Sequence, residues 1–363
     1  MTEASSVTRA LAALLKQQIE RAGGWLPFDR FMALALYAPG LGYYANTSRK
    51  FGQLPVSGSD FVTAPEMTPL FGRALAVQLR EALQATDTRE VWEFGAGSGA
   101  LAAQLLEALG DAVASYTIVD VSGSLRERQQ QRLAPFGGKV HWVSELPESF
   151  SGVVVGNEVL DAMPVKLLAR FRGSWHERGV HVVGSEFEWQ DRPTELRPPL
   201  AVWGTQDYLT EIHPQAEAFV RTLADRLARG AAFFIDYGFA EREYYHAQRH
   251  MGTLMCHRGH LADTDPLVSV GEKDITAHVN FTGIAVAAQE AGLATLGYTT
   301  QARFLVNCGV AGLLEQAPLP ERAAGQRLIA EHEMGELFKV IGLHRGDFWD
   351  AVGFREGDRT HTL

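Results

Sequence analysis

Short β-rich runs that alternate with helical stretches from Thr88 onward constrain the fold of this chain more than any other feature. The runs predict strands near residues 91–94, 116–119, 140–143, 152–156 and 232–236. Strands separated by helices are typical of βαβ units, in which crossover helices pack on a parallel sheet. The sequence therefore predicts an α/β fold with a mostly parallel sheet.

The segments outside this alternation predict a cap and two insertions. Apolar residues recur at helical spacing over residues 7–19 and 28–37, so the N-terminal part is expected to be helical. The gap between the fourth and fifth strands is too long for one crossover, and residues 166–183 resemble added β-structure. The predicted units are a helical cap with a cofactor-covering loop (1–87) and a core (88–363) with insertions at about 166–215 and 240–280.

A glycine-rich turn follows the first predicted strand. Residues 93–99 read Glu-Phe-Gly-Ala-Gly-Ser-Gly, and a helix is expected after them. At such a turn, backbone N–H groups approach a ligand closely because glycine has no side chain. Asp120 closes the second strand, where a nucleotide-binding sheet places a carboxylate for the ribose hydroxyls. The cofactor-binding residues predicted from this turn are Gly95, Ala96, Gly97 and Gly99, together with Asp120.

Glu93 distinguishes between two classes of nucleotide cofactor. A dinucleotide carries a pyrophosphate, which a carboxylate at the end of the first strand would repel. S-adenosylmethionine (SAM) has no phosphate, and its methionine ammonium is cationic, so Glu93 suits it electrostatically. The spacing Gly-x-Gly-x-Gly also differs from the usual dinucleotide pattern Gly-x-Gly-x-x-Gly. These residues favour SAM over a dinucleotide.

Several further segments resemble those of the MidA-like methyltransferases, which include the mitochondrial complex I assembly-factor arginine methyltransferase. They are residues 39–44 (PGLGYY), 59–66 (SDFVTAPE) with Phe71-Gly72, 93–99, 156–165 (GNEVLDAMPV), 236–238 (DYG), 252–257 (GTLMCH) and 274–281 (DITAHVNF). Ser59 stands where the family usually has glycine. The resemblance implies a class I SAM-methyltransferase fold, Rossmann-like, with a seven-stranded sheet. It also implies SAM as cofactor and a protein substrate methylated on arginine.

The turn after the fourth predicted strand carries the candidate catalytic residues. Acceptor sites of this fold class lie at the carboxyl ends of the strands, so Glu158 and Asp161 are expected to face the acceptor, with Asn157 beside the cofactor. A carboxylate pair can hold the N–H fork of a guanidinium. The structural alternative is a helix start, in which Asn157 caps and the two carboxylates complement the helix dipole.

Several polar residues outside these turns have competing interpretations. Asp60 and Tyr43 are assigned to the cofactor pocket, because glycine-rich loops with aromatic residues often cover nucleotides. Thr63 and Glu66 form either a helix capping box or part of a cover over the cofactor. Asp236, at the end of the fifth strand, is expected to accept hydrogen bonds from loop N–H groups.

No metal site is predicted. His257, His260 and His278 lie near Asp274, but their spacing matches no established metal motif. Structural hydrogen bonding or substrate contact is the more common role of such residues, and the sequence does not choose between them.

Composition narrows the partners and the compartment. The net charge of −10 and the scattered Lys and Arg argue against a nucleic-acid partner. No apolar run reaches the ~20 residues of a membrane span, and two cysteines do not suggest a disulfide framework. We therefore expect a cytoplasmic protein. A homodimer, a small-molecule or other protein acceptor, and a SAM-binding assembly protein without turnover all remain open.

Overall fold

The computed structural model describes residues 6–46, 63–120, 123–259 and 261–363. Its α-helices are α1 (Ser6–Arg21), α2 (Phe28–Tyr37), α3 (Ala64–Met67), α4 (Leu70–Ala85), α5 (Ala100–Leu109), α6 (Gly123–Leu133), α7 (Pro214–Arg226), α8 (Glu241–Tyr244), α9 (Phe281–Glu290), α10 (Gln301–Asn307), α11 (Val310–Gln316) and α12 (Leu319–Ile329). Short 3₁₀ segments span Gly110–Ala112, Ala134–Lys139, Val352–Phe354 and Thr360–Thr362, and a π-helical turn spans Glu331–Gly335.

The strands fall into three sheets. They are β1 (Leu26–Pro27), β2 (Glu90–Phe94), β3 (Ser115–Val119), β4 (Val140–Val143), β5 (Phe150–Asn157), β6 (Lys166–Phe171), β7 (Ser174–Val183), β8 (Glu186–Pro193), β9 (Tyr208–Ile212), β10 (Leu227–Phe239), β11 (Met255–Arg258), β12 (Leu261–Asp263), β13 (Asp274–Thr276), β14 (Val279–Asn280), β15 (Ala294–Thr300) and β16 (Phe338–Arg345).

The central sheet has the strand order β15-β16-β10-β5-β2-β3-β4, and the two-residue β14 pairs with β10. Strands β10, β5, β2, β3 and β4 run parallel, whereas β16 is antiparallel to both of its neighbours. This is a mixed α/β fold with a mostly parallel sheet, as predicted. The carboxyl ends of the parallel strands meet at one edge.

Alternating residues of the central strands pack on opposite faces of the sheet. On β5, Val153 and Val155 belong to the core beneath α4 and α5, and Val154 belongs to the core beneath α7 and α9. Phe233 and Phe234 on β10 divide in the same way. Because both faces are covered, the middle residues of these strands are apolar on both faces, as in residues 153–155 of β5 and 231–235 of β10. This two-sided burial explains why short apolar runs marked the strands in the sequence.

The N-terminal helices do not pack on the central sheet. Leu15 of α1 and Phe31 of α2 share a third core with Leu167 of β6, Val180 of β7 and Ile275 of β13. Strands β1, β7, β6, β9 and β8 form an antiparallel sheet, and β12, β11 and β13 form another. Helices α1 and α2 and the two predicted insertions are therefore joined by one hydrophobic cluster, whereas α4 of the predicted cap packs in the core of the central sheet.

None of the helices in the described ranges is long and apolar enough to cross a membrane.

Candidate functional site

A cavity of about 440 Å³ opens where the carboxyl ends of β2, β3, β5 and β10 meet. Most of its wall comes from the loops that follow these strands. Tyr37 and Tyr44 of the N-terminal segment close one side, and His257, Asp274 and Thr276 of the small sheet close another. The central sheet, the cap and the second insertion thus all contribute side chains to one space.

The glycine-rich turn lies on this wall and needs its glycines. Gly95, Gly97 and Gly99 have φ angles of +61°, +52° and +80°, in the left-handed region that penalises residues with a Cβ atom. A Cβ on Gly95 would also lie 3.1 Å from Cγ2 of Val159. Gly99 precedes the first residue of α5, so the turn delivers the chain into that helix with its backbone close to the cavity. Ala96 also lines the cavity.

Glu93 is a buried carboxyl group at the floor of the cavity. It is 2% exposed, and Tyr116 donates a hydrogen bond of 2.6 Å to its Oε2. Burial raises the pKa of Glu93 to about 8; the Tyr116 hydrogen bond opposes this rise and the charge of Asp120 adds to it. A cation bound beside Glu93 would favour the ionised form.

Asp120 lies directly after β3, the strand that pairs with β2, and its side chain lines the cavity. Its backbone N–H donates to the carbonyl of Val143. Its Oδ2 accepts a hydrogen bond of 2.9 Å from Nε2 of Gln129 on α6. Gln129 was not among the predicted site residues, because a glutamine within a helix belongs to no motif.

The segment after β5 is a turn and not a helix. Residues 158–165 contain no helix, so the alternative of a helix start at Asn157 is wrong. Glu158 adopts φ +54°, and its N–H donates to the carbonyl of Ile235. Its carboxylate accepts from Nδ2 of Asn157 and from the Tyr237 hydroxyl, both at 2.9 Å. Burial raises the pKa of Glu158 to about 7; both hydrogen bonds oppose the rise, and the charge of Asp274 adds to it.

Asp236 holds this turn in place. Its Oδ2 accepts from the backbone N–H groups of Val159, Leu160 and Asp161 at 2.9–3.2 Å. The expectation that Asp236 serves loop N–H groups is confirmed. One carboxylate of β10 thereby fixes the backbone that carries Glu158 and Asp161, although no helix begins there.

Asp161 and Asp274 add two buried carboxyl groups to the same wall. Asp161 is 4% exposed, and its Oδ1 has no hydrogen-bond partner. Burial and the nearby charges of Asp236, Glu158 and Asp274 raise the pKa of Asp161 well above its usual range. Asp274 is 2% exposed and accepts from the Tyr44 hydroxyl at 2.8 and 2.9 Å. Asp274 was missed as a site residue because it belongs to a short insertion strand.

The structure places the aromatic pair of the cap differently from the prediction. Tyr43 is 1% exposed, packs in the N-terminal core and does not line the cavity. Its neighbour Tyr44 lines it instead, stacked on Tyr37 at 5.5 Å between ring centroids. Tyr37 donates to the carbonyl of Ala162 in the turn after β5. Asp60 lies outside the described residues.

Glu66 supports the glycine-rich turn rather than a helix terminus. Thr63 makes no side-chain cap, so the capping-box interpretation is wrong. Glu66 instead accepts hydrogen bonds from the Ser98 hydroxyl and, at 3.1 Å, from Arg132. The short α3 ends at Met67 before Pro69, which separates it from α4.

His257 and His278 are the two predicted candidates of the second insertion that lie within the described residues. His257 lines the cavity, whereas His278 is half-buried and stacks on Tyr237. Burial, with the charges of Arg249 and Lys339, lowers the pKa of His278 to about 4. His260 lies outside the described residues. Within the described ranges, no group of three or more His, Cys, Asp or Glu could hold a metal ion.

The charged side chains that line this cavity differ from those of a phosphate-binding site. The described residues that line it include the carboxylates Glu66, Glu93, Asp120, Glu158, Asp161 and Asp274, and no Lys or Arg. Such a wall suits cationic ligands and disfavours a pyrophosphate. The fold and this site define a SAM-dependent methyltransferase.

Comparison with known proteins supports the same class. Residues 74–299 match the family model for S-adenosyl-L-methionine-dependent methyltransferases. The crystal structure of a COG1565 superfamily member from Burkholderia thailandensis, bound to S-adenosyl-homocysteine, superposes with a TM-score of 0.95. That protein is 50% identical, and the match covers 99% of this chain and 97% of the other.

Two curated relatives are named "Protein arginine methyltransferase NDUFAF7 homolog, mitochondrial". The Drosophila melanogaster protein is 28% identical over 97% of this chain and 90% of its own length. The Caenorhabditis elegans protein is 25% identical over 89% and 84%. This chain belongs to the MidA-like family of SAM-dependent methyltransferases. The expected cytoplasmic location is contradicted by these comparisons, because both relatives are named mitochondrial.

Proposed function

We propose that this chain is a protein-arginine N-methyltransferase that binds the acceptor guanidinium between Glu158 and Asp161. The observation that carries this proposal is the carboxylate wall of the cavity, which includes the unpartnered Oδ1 of the buried Asp161. A buried carboxylate oxygen without a donor is costly, and a guanidinium offers five N–H donors. The curated relatives named as arginine methyltransferases support the same acceptor.

We propose distinct roles for the cofactor side of the cavity. Glu93 faces the methionine ammonium of SAM, and Asp120 accepts the ribose hydroxyls. The backbone of Gly95, Ala96 and Gly97 passes close to the cofactor, and Asn157 lies between cofactor and acceptor; Gly99 does not line the cavity and would act through the turn that it completes. These roles are supported by the shared cavity and by the positive φ angles of the glycines.

SAM, when bound, supplies an electrophilic methyl group. The protein residues have to hold the acceptor nitrogen in line with that group and remove its proton. A guanidinium is protonated at neutral pH and is a poor nucleophile. Glu158 and Asp161 would orient its N–H fork, and Asp274 would complete the negative wall. The nitrogen forms its bond to the methyl carbon as the carbon–sulfur bond breaks, and one nitrogen proton passes to a carboxylate.

The pKa of Glu158, about 7, suits that proton transfer. A general base is most effective when its pKa lies near the working pH. Asn157 donates to Oε1 of this carboxylate and Tyr237 donates to Oε2, so its orientation is fixed. We assign Glu158 the role of base and Asp161 the role of second guanidinium ligand.

The domain organisation is also part of the proposal. Residues 88–363 form the class I core, with the seven strands from β15 to β4 as its sheet. Within the segment 1–87 predicted as a cap, α1 and α2 cover the acceptor side together with the insertions at about 166–215 and 240–280, whereas α4 packs on the central sheet as part of the core. The shared core of α1, α2, β6, β7 and β13 supports this organisation.

Incubation with methyl-labelled SAM and a protein lysate, followed by mass spectrometry, tests the proposal. Label on arginine side chains is the expected result. Label only on lysine, on other side chains or on small molecules would refute the arginine assignment, and no label would contradict enzymatic transfer. Glu148→Gln changes an exposed carboxylate and is the control variant, which should label the same arginine side chains as the wild-type protein.

A further inference from the structure

Gln129 on α6 connects the two halves of the cofactor site. Its side chain is fully buried at 0% exposure. One amide N–H donates to the carbonyl of Gly97 at 3.0 Å, and the other donates to Oδ2 of Asp120 at 2.9 Å. One amide group therefore bridges the glycine-rich turn after β2 and the carboxylate after β3.

Trp142 on β4 fixes the orientation of this amide. Its indole Nε1 donates to Oε1 of Gln129 at 2.9 Å. An indole N–H can only donate, so the oxygen of Gln129 must face Trp142 and the NH₂ group must face Gly97 and Asp120. Reversal of the amide would place two donors against each other at Trp142 and would put an oxygen against the carboxylate.

We propose that Gln129 is a positioning residue for the cofactor: it holds the Asp120 carboxylate in the orientation that accepts the ribose hydroxyls. Trp142 assists from outside the cavity by locking the amide. This inference rests on the proposed role of Asp120 and is independent of the acceptor.

The physical basis is pre-organisation. A carboxylate beside a water-accessible cavity can rotate about its side-chain torsions, and binding has to restrict that rotation. The fixed N–H of Gln129 engages Oδ2 before the ligand arrives and so reduces this cost. The second N–H ties the same amide to the backbone of Gly97, so the turn and the carboxylate keep one relative position.

Calorimetric titration with two ligands separates this role from general structural support. The ligands are S-adenosylhomocysteine and its analogue without the two ribose hydroxyls. Gln129→Leu keeps the approximate side-chain size but removes the amide. It should lower the affinity for S-adenosylhomocysteine roughly tenfold, the scale of a lost hydrogen bond to a charged group. The affinity for the analogue should fall by much less, because the analogue has no ribose hydroxyls to bind the Asp120 carboxylate.

Three further variants complete the experiment. Trp142→Phe leaves Gln129 in place and should shift affinity in the same direction by a smaller factor, so it carries the test if Gln129→Leu fails to fold. Gln130→Leu, on the exposed face of the same helix, should bind both ligands normally. Asp120→Asn tests the ribose assignment itself.

Equal loss for both ligands in Gln129→Leu would overturn the inference, because it would indicate support of the turn alone. Unchanged affinity in both Gln129→Leu and Trp142→Phe would also overturn it. Unchanged binding of S-adenosylhomocysteine to Asp120→Asn would overturn the ribose role and, with it, the role of Gln129. None of these results depends on whether arginine is the acceptor.

Discussion

Replacement of Glu158 by glutamine separates the catalytic role of this side chain from its structural one. The glutamine oxygen can still accept from the Tyr237 hydroxyl, as the carboxylate does at 2.9 Å. The new NH₂ group would face Nδ2 of Asn157, but Oδ1 of Asn157 has no partner, so rotation of that amide provides an acceptor. At a pH below the usual carboxyl pKa, where the native Glu158 side chain is also neutral, the change in stability should therefore stay within about 1 kcal/mol, the net worth of one hydrogen bond.

Methyl transfer by Glu158→Gln should fall far more than stability. Loss of one pre-organised electrostatic group lowers turnover by roughly 10²-fold or more. Because the pKa of Glu158 is raised to about 7, the wild-type rate should rise with pH through about 7 as the carboxylate ionises. The variant should lack this rise. SAM affinity should change little.

The assay pairs calorimetry of SAM binding with initial rates of label transfer between pH 5.5 and 8.5 on a protein substrate. Glu148→Gln, an exposed carboxylate on the loop before β5, is the matched control and should behave as wild type. Near-normal transfer by Glu158→Gln, or an unchanged pH profile, would refute the assignment of the base. Lost SAM binding would instead place Glu158 in the cofactor shell.

Other predictions concern the cofactor and stability. Asp120→Ala should weaken SAM binding by about 1.5–3 kcal/mol in calorimetry, with circular dichroism unchanged. An affinity equal to that of the wild type would contradict the ribose role of Asp120. With a pKa of about 8, Glu93 should release a proton when SAM binds, so affinity should rise with pH up to about 8 in wild type but not in Glu93→Gln; equal pH dependence would contradict this. The raised pKa of Glu158 means that the folded state binds its proton more tightly than the unfolded state, so stability should fall as pH rises from the usual carboxyl range through about 7. Denaturant titrations of Glu158→Gln should show less of this fall, and an identical fall would contradict it.

The sequence was informative where one local pattern determines the structure. Short apolar runs that alternate with helical stretches located the central strands, because both faces of that sheet are buried. The glycines at 95, 97 and 99 predicted their turn, because left-handed φ angles leave glycine as the favoured residue. The SAM assignment, based on Glu93 and this spacing, is confirmed by the family comparison.

The sequence was less informative where a contact joins distant segments. Asp274 meets Tyr44 across 230 positions, and Gln129 meets Gly97 from a helix without a motif. Tyr43 and Tyr44 are adjacent and chemically equal, so only the packing of the cap decides which one faces the cavity. Thr63 and Glu66 matched a capping pattern, but Ser98 and Arg132 offered Glu66 partners that no local rule includes.

The most direct measurement is a crystal structure of the protein with S-adenosylhomocysteine and an arginine peptide taken from a labelled lysate protein. We expect the homocysteine ammonium beside Glu93, the ribose hydroxyls on Asp120 and the guanidinium within hydrogen-bond distance of Glu158 and Asp161. The nitrogen that accepts the methyl group should point at the sulfur. A guanidinium bound away from both carboxylates, or an adenosine that does not contact Asp120, would contradict this expectation.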